Sequence, residues 1–66
     1  MDVTVNGEKR ALADGMTVVD LLATLALTQR RVAVEINREL VPRSLHGQRK
    51  INPGDAIEIV SLVGGG

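Results

Sequence analysis

The residues of this chain that are best suited to chemistry are the last three, Gly64, Gly65 and Gly66. They have no side chains, and three glycines in a row are expected to hold no fixed shape by themselves. The α-carboxylate of Gly66 has a reference pKa of about 3.5, so it is ionised at neutral pH. Fully extended, the three residues would carry this carboxylate about 10 Å past Val63. Such an arm suits the narrow active site of another protein, whereas the simpler alternative is an inert, frayed terminus.

The composition excludes most other reactive groups. The chain has no cysteine, so it has no disulfide, no thiolate metal site and no persulfide on its own side chains. Its one histidine, His46, has no ligand motif beside it and is interpreted as a surface or turn residue. Eight basic and eight acidic residues give a net charge of zero, which argues against nucleic acid or anionic membrane as a partner.

The length and hydropathy predict a small cytoplasmic protein. Its 66 residues make one domain, interpreted as residues 1–63 followed by a flexible tail at residues 64–66. No signal peptide is expected, because the first residues do not form a basic segment followed by an apolar stretch. No apolar run approaches the roughly 20 residues that cross a bilayer. We expect a monomer when free, with no bound cofactor and no metal.

The start of the chain predicts a β-hairpin. Residues 1–5 alternate between apolar and polar side chains, as a half-buried strand does. Asn6-Gly7 is the strongest short signal for a type I′ turn, because both central residues of that turn need a positive φ. The return strand is expected over residues 8–12.

A helix is predicted after the hairpin, over residues 18–27. Thr17 is the expected N-cap, and Asp20 lies where its carboxylate can assist the first-turn amides. One apolar stripe follows the helical spacing and is expected to face the core, at Val18, Leu21, Leu22 and Leu25.

The second half of the chain predicts three more strands. They are expected at residues 32–36, at Leu40-Val41 and over residues 56–63, with turns at Asn37-Arg38-Glu39 and Asn52-Pro53-Gly54-Asp55. Pro42 ends the short strand, because proline cannot donate to a sheet ladder. The polar stretch over residues 43–50 is expected to be irregular, with Leu45 as its anchor.

This order of elements predicts an α+β roll with a mixed sheet of four to five strands and one main helix packed on one face. The last strand is expected beside the first and parallel to it, because both are apolar and parallel neighbours are best buried. That arrangement is the β-grasp, or ubiquitin-like, fold.

The last strand is expected to present apolar side chains on both faces of the sheet. Ile57 and Ile59 should point to the helix, which leaves Val60 and Leu62 on the open face. An isolated domain gains nothing from exposed apolar side chains there. We therefore predict a docking surface for a partner at Val60, Leu62 and Val63.

Six short motifs resemble one known family over essentially the whole chain. They are Asn6-Gly7, Gly15-Met16-Thr17-Val18, Val34-Glu35-Ile36-Asn37, Val41-Pro42-Arg43, Gly54-Asp55-Ala56-Ile57-Glu58-Ile59 and the ending Val63-Gly64-Gly65-Gly66. In this combination and at this length, the chain resembles ThiS, the family of sulfur carrier proteins of thiamine biosynthesis. Small subunits of molybdopterin synthase share the fold and the ending, but they often carry prolines where this chain has Ser61 and Leu62.

The resemblance implies a carrier protein and not an enzyme. A ThiF-like adenylating enzyme, which holds ATP and Mg²⁺, would draw Gly64, Gly65 and Gly66 into its active site and adenylate the Gly66 carboxylate. A sulfur donor such as a cysteine desulfurase would then turn the carboxylate into a thiocarboxylate. Thiazole synthase, which is ThiG-like, would build that sulfur into the thiazole ring of thiamine.

Three other functions remain open from the sequence. The chain could carry sulfur for another pathway, such as molybdopterin synthesis. It could be a ubiquitin-like modifier, with Gly66 joined to a lysine of another protein. It could also be a plain interaction domain whose tail is inert.

Overall fold

The computed structural model describes residues 1–62, and residues 63–66 lie outside the description. In chain order, the elements are strand β1 (Asp2–Val5), strand β2 (Glu8–Ala11), helix α1 (Val18–Thr24), strand β3 (Val32–Ile36), strand β4 (Glu39–Val41), a short 3₁₀ helix (Arg43–Leu45) and strand β5 (Ala56–Ser61). The predicted order of strands and helix is confirmed. The last strand, predicted over residues 56–63, ends at Ser61, so the prediction is too long already at Leu62, while residue 63 lies outside the described residues.

The five strands form one mixed sheet in the order β2-β1-β5-β3-β4. The last strand, β5, lies in the centre, parallel to β1 and antiparallel to β3. Its pairing with β1 spans two residue pairs, whereas its pairing with β3 spans five. The parallel pairing of the first and last strands is therefore confirmed, and the sheet with its single helix is a β-grasp roll.

Both hairpin turns use left-handed backbone conformations. Asn6 and Gly7 have φ values of 51° and 83°, which confirms the type I′ turn between β1 and β2. Asn37 and Arg38, with φ values of 52° and 70°, turn the chain between β3 and β4 in the same way. A positive φ is uncommon in a residue such as Arg38.

Helix α1 begins with a reciprocal capping box. The backbone N–H of Thr17 donates to a carboxylate oxygen of Asp20 over 2.9 Å, and the N–H of Asp20 donates to the Thr17 hydroxyl over 3.3 Å. The backbone N–H of Thr17, and then its hydroxyl, hold the pKa of Asp20 below its ordinary value of 3.8. The predicted N-cap is confirmed.

The predicted end of the helix, at residue 27, is wrong. The helix ends at Thr24, and Ala26 takes a left-handed conformation with a φ of 60°. The N–H of Leu27 donates to the carbonyl of Leu22 over 2.7 Å, and the N–H of Ala26 donates to the carbonyl of Ala23 over 3.0 Å. These two bonds are a Schellman motif, in which alanine occupies the position that glycine usually takes.

The core lies between α1 and one face of the sheet. The buried apolar side chains are Val3, Val5, Leu12, Val18, Leu21, Leu22, Val34, Ile36, Val41, Ile51 and Ile57. Leu25 is partly buried and packs against this cluster. The predicted apolar stripe of the helix is therefore confirmed as part of the core.

Two predictions for the segment over residues 43–50 need correction. Leu45, the expected anchor, is 44% exposed. His46, expected at the surface or in a turn, lies in a turn but is only 7% exposed, so it is not a surface residue. The ring Nε2 of His46 lies 3.1 Å from the carbonyl oxygen of Val41. The carbonyls of His46 and Arg49 accept from the N–H groups of Val19 and Val18, the first two residues of α1. Because these bonds satisfy two of the free N–H donors of the helix, they hold the segment at the start of α1, where His46 is buried.

Candidate docking face and C-terminal tail

The central strand β5 leads directly into the predicted tail. The N–H of Leu62, the last described residue, donates to the carbonyl of Arg31 over 2.9 Å, so β3 holds the chain up to that point. The predicted site residues Val63, Gly64, Gly65 and Gly66 follow it and lie outside the described residues. The roles of these four residues stay predictions.

A side chain from the first hairpin holds the other edge of β5. The last residue pair between β1 and β5 joins Val5 and Ile57. Two positions farther along β5, the side chain of Asn6 accepts from the N–H of Ile59 over 2.8 Å and donates to its carbonyl over 3.2 Å. Asn6 thus imitates one further strand residue and fixes β5 five positions before Gly64.

The sequence analysis assigned Asn6 to the turn alone. Its bond to β5 joins residues 53 positions apart, so no local pattern indicates it. Only the residue type is compatible with this bond, because the side-chain amide of asparagine has both an acceptor and donors, as the backbone of a strand residue has.

The two faces of β5 differ in burial as predicted. Ile57 is 1% exposed and Ile59 packs partly buried against the core, both on the helix side. Val60 and Leu62 are 56% and 61% exposed. The expected assignment of these four side chains is confirmed, and the open face presents apolar surface next to the tail.

Leu40 extends this apolar surface onto β4, which the sequence analysis missed. Leu40 pairs with Glu35 on β3, and Val60 of β5 pairs with Ala33 on the same strand. Since side chains two residues apart on a strand share a face, Leu40 and Val60 lie on the open face together. Leu40 is 63% exposed. We call Ala33, Leu40, Val60 and Leu62 the open-face patch.

Carboxylates border the open-face patch on the side away from the tail. Glu35 and Glu58 are directly opposite each other on β3 and β5, and both are exposed. Like charges in this position repel each other and do not help the sheet to form. The patch therefore has an acidic border at one end.

A cavity of about 410 Å³ lies at the opposite end of the patch, near the tail. We call it the β4 cleft, and its lining includes Arg31, Ala33, Leu40, Arg43, His46 and Leu62. Arg31 and Arg43 are exposed at this cleft, and no carboxylate is among the described residues that line it. The open-face patch thus has guanidinium groups beside Leu62 and carboxylates at its other end.

Residues 1–62 provide no group of three or more histidine, cysteine or acidic side chains that could hold a metal ion. The ring Nε2 of His46 lies at the Val41 carbonyl inside the fold. In the same part of the chain, no helix is long and apolar enough to cross a membrane.

Comparison with known proteins links this geometry to one family. The model of the ThiS family matches residues 3–66. The sulfur carrier protein ThiS of Escherichia coli is 33% identical over 66 residues, which cover all of both chains. The crystal structure of the thiamine biosynthesis protein ThiS from Geobacter metallireducens superposes with a TM-score of 0.85, at 35% identity and with both chains fully covered.

A larger relative contains this chain as one part. A thiazole synthase of Paramagnetospirillum magneticum is 47% identical over all 66 residues of this chain. The chain covers 20% of the length of that relative. A domain of this type is thus joined to a much longer sequence in the thiazole synthase.

Proposed function

This chain belongs to the ThiS family of sulfur carrier proteins of thiamine biosynthesis, and we propose that the carboxylate of Gly66 is the group that carries the sulfur. The observation that supports this most directly is the course of β5. The strand is held by β3 on one side and by Asn6 on the other, it carries exposed apolar side chains, and the chain continues from it to the tail. A strand held in this way suits delivery of the terminal carboxylate into a partner's active site.

The proposed chemistry begins with activation of the carboxylate. A bare carboxylate is a poor acylating agent, because its leaving group would be an oxide. Attack by a Gly66 carboxylate oxygen on the α-phosphorus of ATP forms an acyl-adenylate and releases pyrophosphate. The mixed anhydride then has AMP as a good leaving group. ATP and Mg²⁺ belong to a ThiF-like adenylating enzyme in this proposal.

The sulfur enters by displacement of AMP. The terminal sulfur of a donor persulfide attacks the acyl carbon and forms an acyl disulfide, and AMP leaves. A thiol of a partner then reduces the sulfur–sulfur bond, which releases the Gly66 thiocarboxylate and leaves a disulfide on the partners. The chain has no cysteine, so the donor persulfide and the reducing thiol both come from other proteins, such as a cysteine desulfurase.

Thiazole synthase is the proposed acceptor of the sulfur. A thiazole synthase of Paramagnetospirillum magneticum contains a stretch that matches this entire chain. Two domains that are joined in one protein often correspond to two separate proteins that interact in other organisms. A ThiG-like thiazole synthase is therefore the partner that this match supports.

The open face is the proposed docking surface for the adenylating enzyme. Val60 and Leu62 are exposed on the strand that leads to the tail, and we include Val63 in the surface by continuity of the chain. An enzyme that grips this face would bring Gly64, Gly65 and Gly66 into its active site in a defined direction. Such positioning converts a bimolecular encounter into a reaction between oriented groups.

Deletion of Gly66 tests the role of the tail. The arm becomes shorter by about 3.5 Å, so the new terminal carboxylate should not reach the ATP phosphate, and adenylation should be abolished. The measurement is pyrophosphate release with ATP and the ThiF-like enzyme. Gly65→Val should also block the reaction, because a β-branched side chain widens and stiffens the arm, and Gly65→Ala should lose less activity.

The fold provides the control for these tail variants. Each should keep the denaturant midpoint of the wild type, because glycine has no side chain to bury in a core. Normal pyrophosphate release by the Gly66 deletion would contradict the proposed function. So would normal release by a chain that carries extra residues after Gly66.

A further inference from the structure

The β4 cleft extends the open-face patch beyond the strand that leads to the tail. The exposed side chains of Leu40 and Leu62 contribute to its lining from β4 and from the end of β5. Its volume of about 410 Å³ lies in the range of about 300–1,000 Å³ of ordinary binding pockets. One large apolar side chain of a partner would fit in it.

The walls of the cleft are held in place by the segment over residues 43–46. The 3₁₀ helix that begins with Arg43 is closed by bonds from the N–H of Leu45 to Pro42 and from the N–H of His46 to Arg43, at 2.8 and 3.1 Å. The contact of the His46 ring with the Val41 carbonyl ties this turn to β4. The cleft therefore exists before a partner binds, which lowers the ordering cost of association.

The charges beside the β4 cleft indicate which kind of partner surface can bind there. Arg31 and Arg43 are both exposed beside an apolar floor, and the described lining contains no acidic residue. A guanidinium group pairs best with a carboxylate, which can accept two parallel hydrogen bonds. A partner side chain of opposite charge next to an apolar one would satisfy both parts of the cleft.

On the basis of the proposed function, we propose that the β4 cleft receives a large apolar side chain of the adenylating enzyme, flanked by a carboxylate that pairs with Arg31 or Arg43. The cleft is continuous with the proposed docking residues Val60 and Leu62 and lies near the tail. Contacts on β5 alone would leave the carrier free to rotate about that strand. A second contact on β4 fixes the rotation and so aims the tail.

The experiment compares three variants in pyrophosphate release with the ThiF-like enzyme, over a range of carrier concentrations. Leu40→Ser should raise KM about tenfold, as expected for truncation of a central interface contact, with kcat unchanged at saturation. The double variant R31Q/R43Q should also raise KM about tenfold. The KM of this variant should also depend less on ionic strength than the KM of the wild type, because the charge pairs that salt screens are no longer present.

The control is R10Q/K50Q, which removes the same number of positive charges from exposed positions away from the open face. Arg10 pairs with buried Val3 on the helix side of the sheet. Lys50 bridges to Thr17 at the start of α1. Its KM should stay within about twofold of the wild type, because rim charges far from an interface act only through weak steering. All three variants change exposed side chains, and the denaturant midpoint checks that each one folds. If Leu40→Ser does not fold, R31Q/R43Q still tests the proposal.

Several results would overturn the cleft proposal while the carrier function stands. An unchanged KM in R31Q/R43Q is one, and an equal rise in R10Q/K50Q is another, because only general charge would then matter. A wild type that sediments as a dimer, and becomes a monomer in Leu40→Ser, would place a second copy in the cleft. Absence of pyrophosphate release with the wild type would instead contradict the proposed function itself.

Discussion

Ile57 and Val60 are β-branched apolar residues three positions apart on the same strand, yet they have opposite environments. Ile57 is 1% exposed beneath helix α1, and Val60 is 56% exposed on the open face. The same contrast appears on β4, where Val41 is 6% exposed and its neighbour Leu40 is 63% exposed. Hydrophobicity alone does not decide the role of these residues.

The difference arises from the single helix. The sheet has two faces, and α1 together with the segment over residues 43–50 covers only one of them. Apolar side chains on the covered face stabilise the fold, whereas those on the open face gain nothing in the isolated chain. The two faces should therefore respond differently to the same substitution, in stability on one side and in binding on the other.

The largest expected effect on stability is that of Leu22→Ala on the covered face. Leu22 is buried in the helix stripe, so its truncation should cost about 2–5 kcal/mol, through lost contacts and a cavity. Since a domain is typically stable by only about 5–15 kcal/mol, the variant should be strongly destabilised. The measurement is the denaturant midpoint.

The matched control is Leu40→Ala on the open face, the same chemical change at an exposed position. It should alter the free energy of unfolding by no more than about 0.5 kcal/mol. Equal midpoints for Leu22→Ala and Leu40→Ala would show that the two faces do not differ as described.

The next largest effect is expected in partner binding, for substitutions on the open face. Changing both Val60 and Leu62 to serine should leave the denaturant midpoint nearly unchanged, because both side chains are already exposed. Loss of two central contacts would cost about 2–4 kcal/mol of binding, which raises KM for the adenylating enzyme roughly 30- to 1000-fold. At saturating carrier concentrations, kcat should equal that of the wild type, since these contacts stabilise the bound complex and the transition state equally.

Two different results for V60S/L62S would contradict this prediction, one in its folding and one in its KM. An unfolded V60S/L62S variant would put these side chains in the core, contrary to their exposure. A folded variant with an unchanged KM would place the docking surface elsewhere on the molecule.

The smallest expected effect concerns the capping box at the start of α1. The pKa of Asp20 is lowered in the folded chain, chiefly by the backbone N–H of Thr17, so the folded state favours the charged carboxylate. This contribution to stability is present above the unfolded pKa of about 3.9 and is lost as the pH falls through the folded pKa. Wild type should therefore lose stability more steeply than Asp20→Asn below about pH 4.

The measurement is the free energy of unfolding between neutral and acidic pH for both proteins. KM for the adenylating enzyme should not change in Asp20→Asn, because the cap lies on the helix and not on the open face. Identical pH slopes in the two proteins would mean that the capping bond does not favour the charged form.

The features that the sequence predicted correctly depend on residues close together in the chain. The turn at Asn6-Gly7, the cap at Thr17 and the alternation along β5 are each set within a few residues. Local conformational preferences and the period of a strand are enough to predict them. The parallel pairing of β1 and β5 followed from the apolar character of both strands.

The features that the sequence missed depend on distant or unusual contacts. Ala26 ends the helix early in a left-handed conformation that glycine would have indicated. His46 is buried because its segment bonds to the start of α1, and Asn6 bonds to Ile59 across 53 positions. The exposure of Leu40 became visible only with the register of β3 and β4.

The central claim is that Gly66 carries sulfur as a thiocarboxylate, and the most direct measurement is the intact mass of the protein. The chain is incubated with ATP, Mg²⁺, a ThiF-like adenylating enzyme and sulfide. We expect a gain equal to the difference in mass between one sulfur and one oxygen atom, and this gain should require ATP. An unchanged mass while the enzyme is active on its own carrier would contradict the claim, and so would covalent conjugates to other proteins in place of the gain.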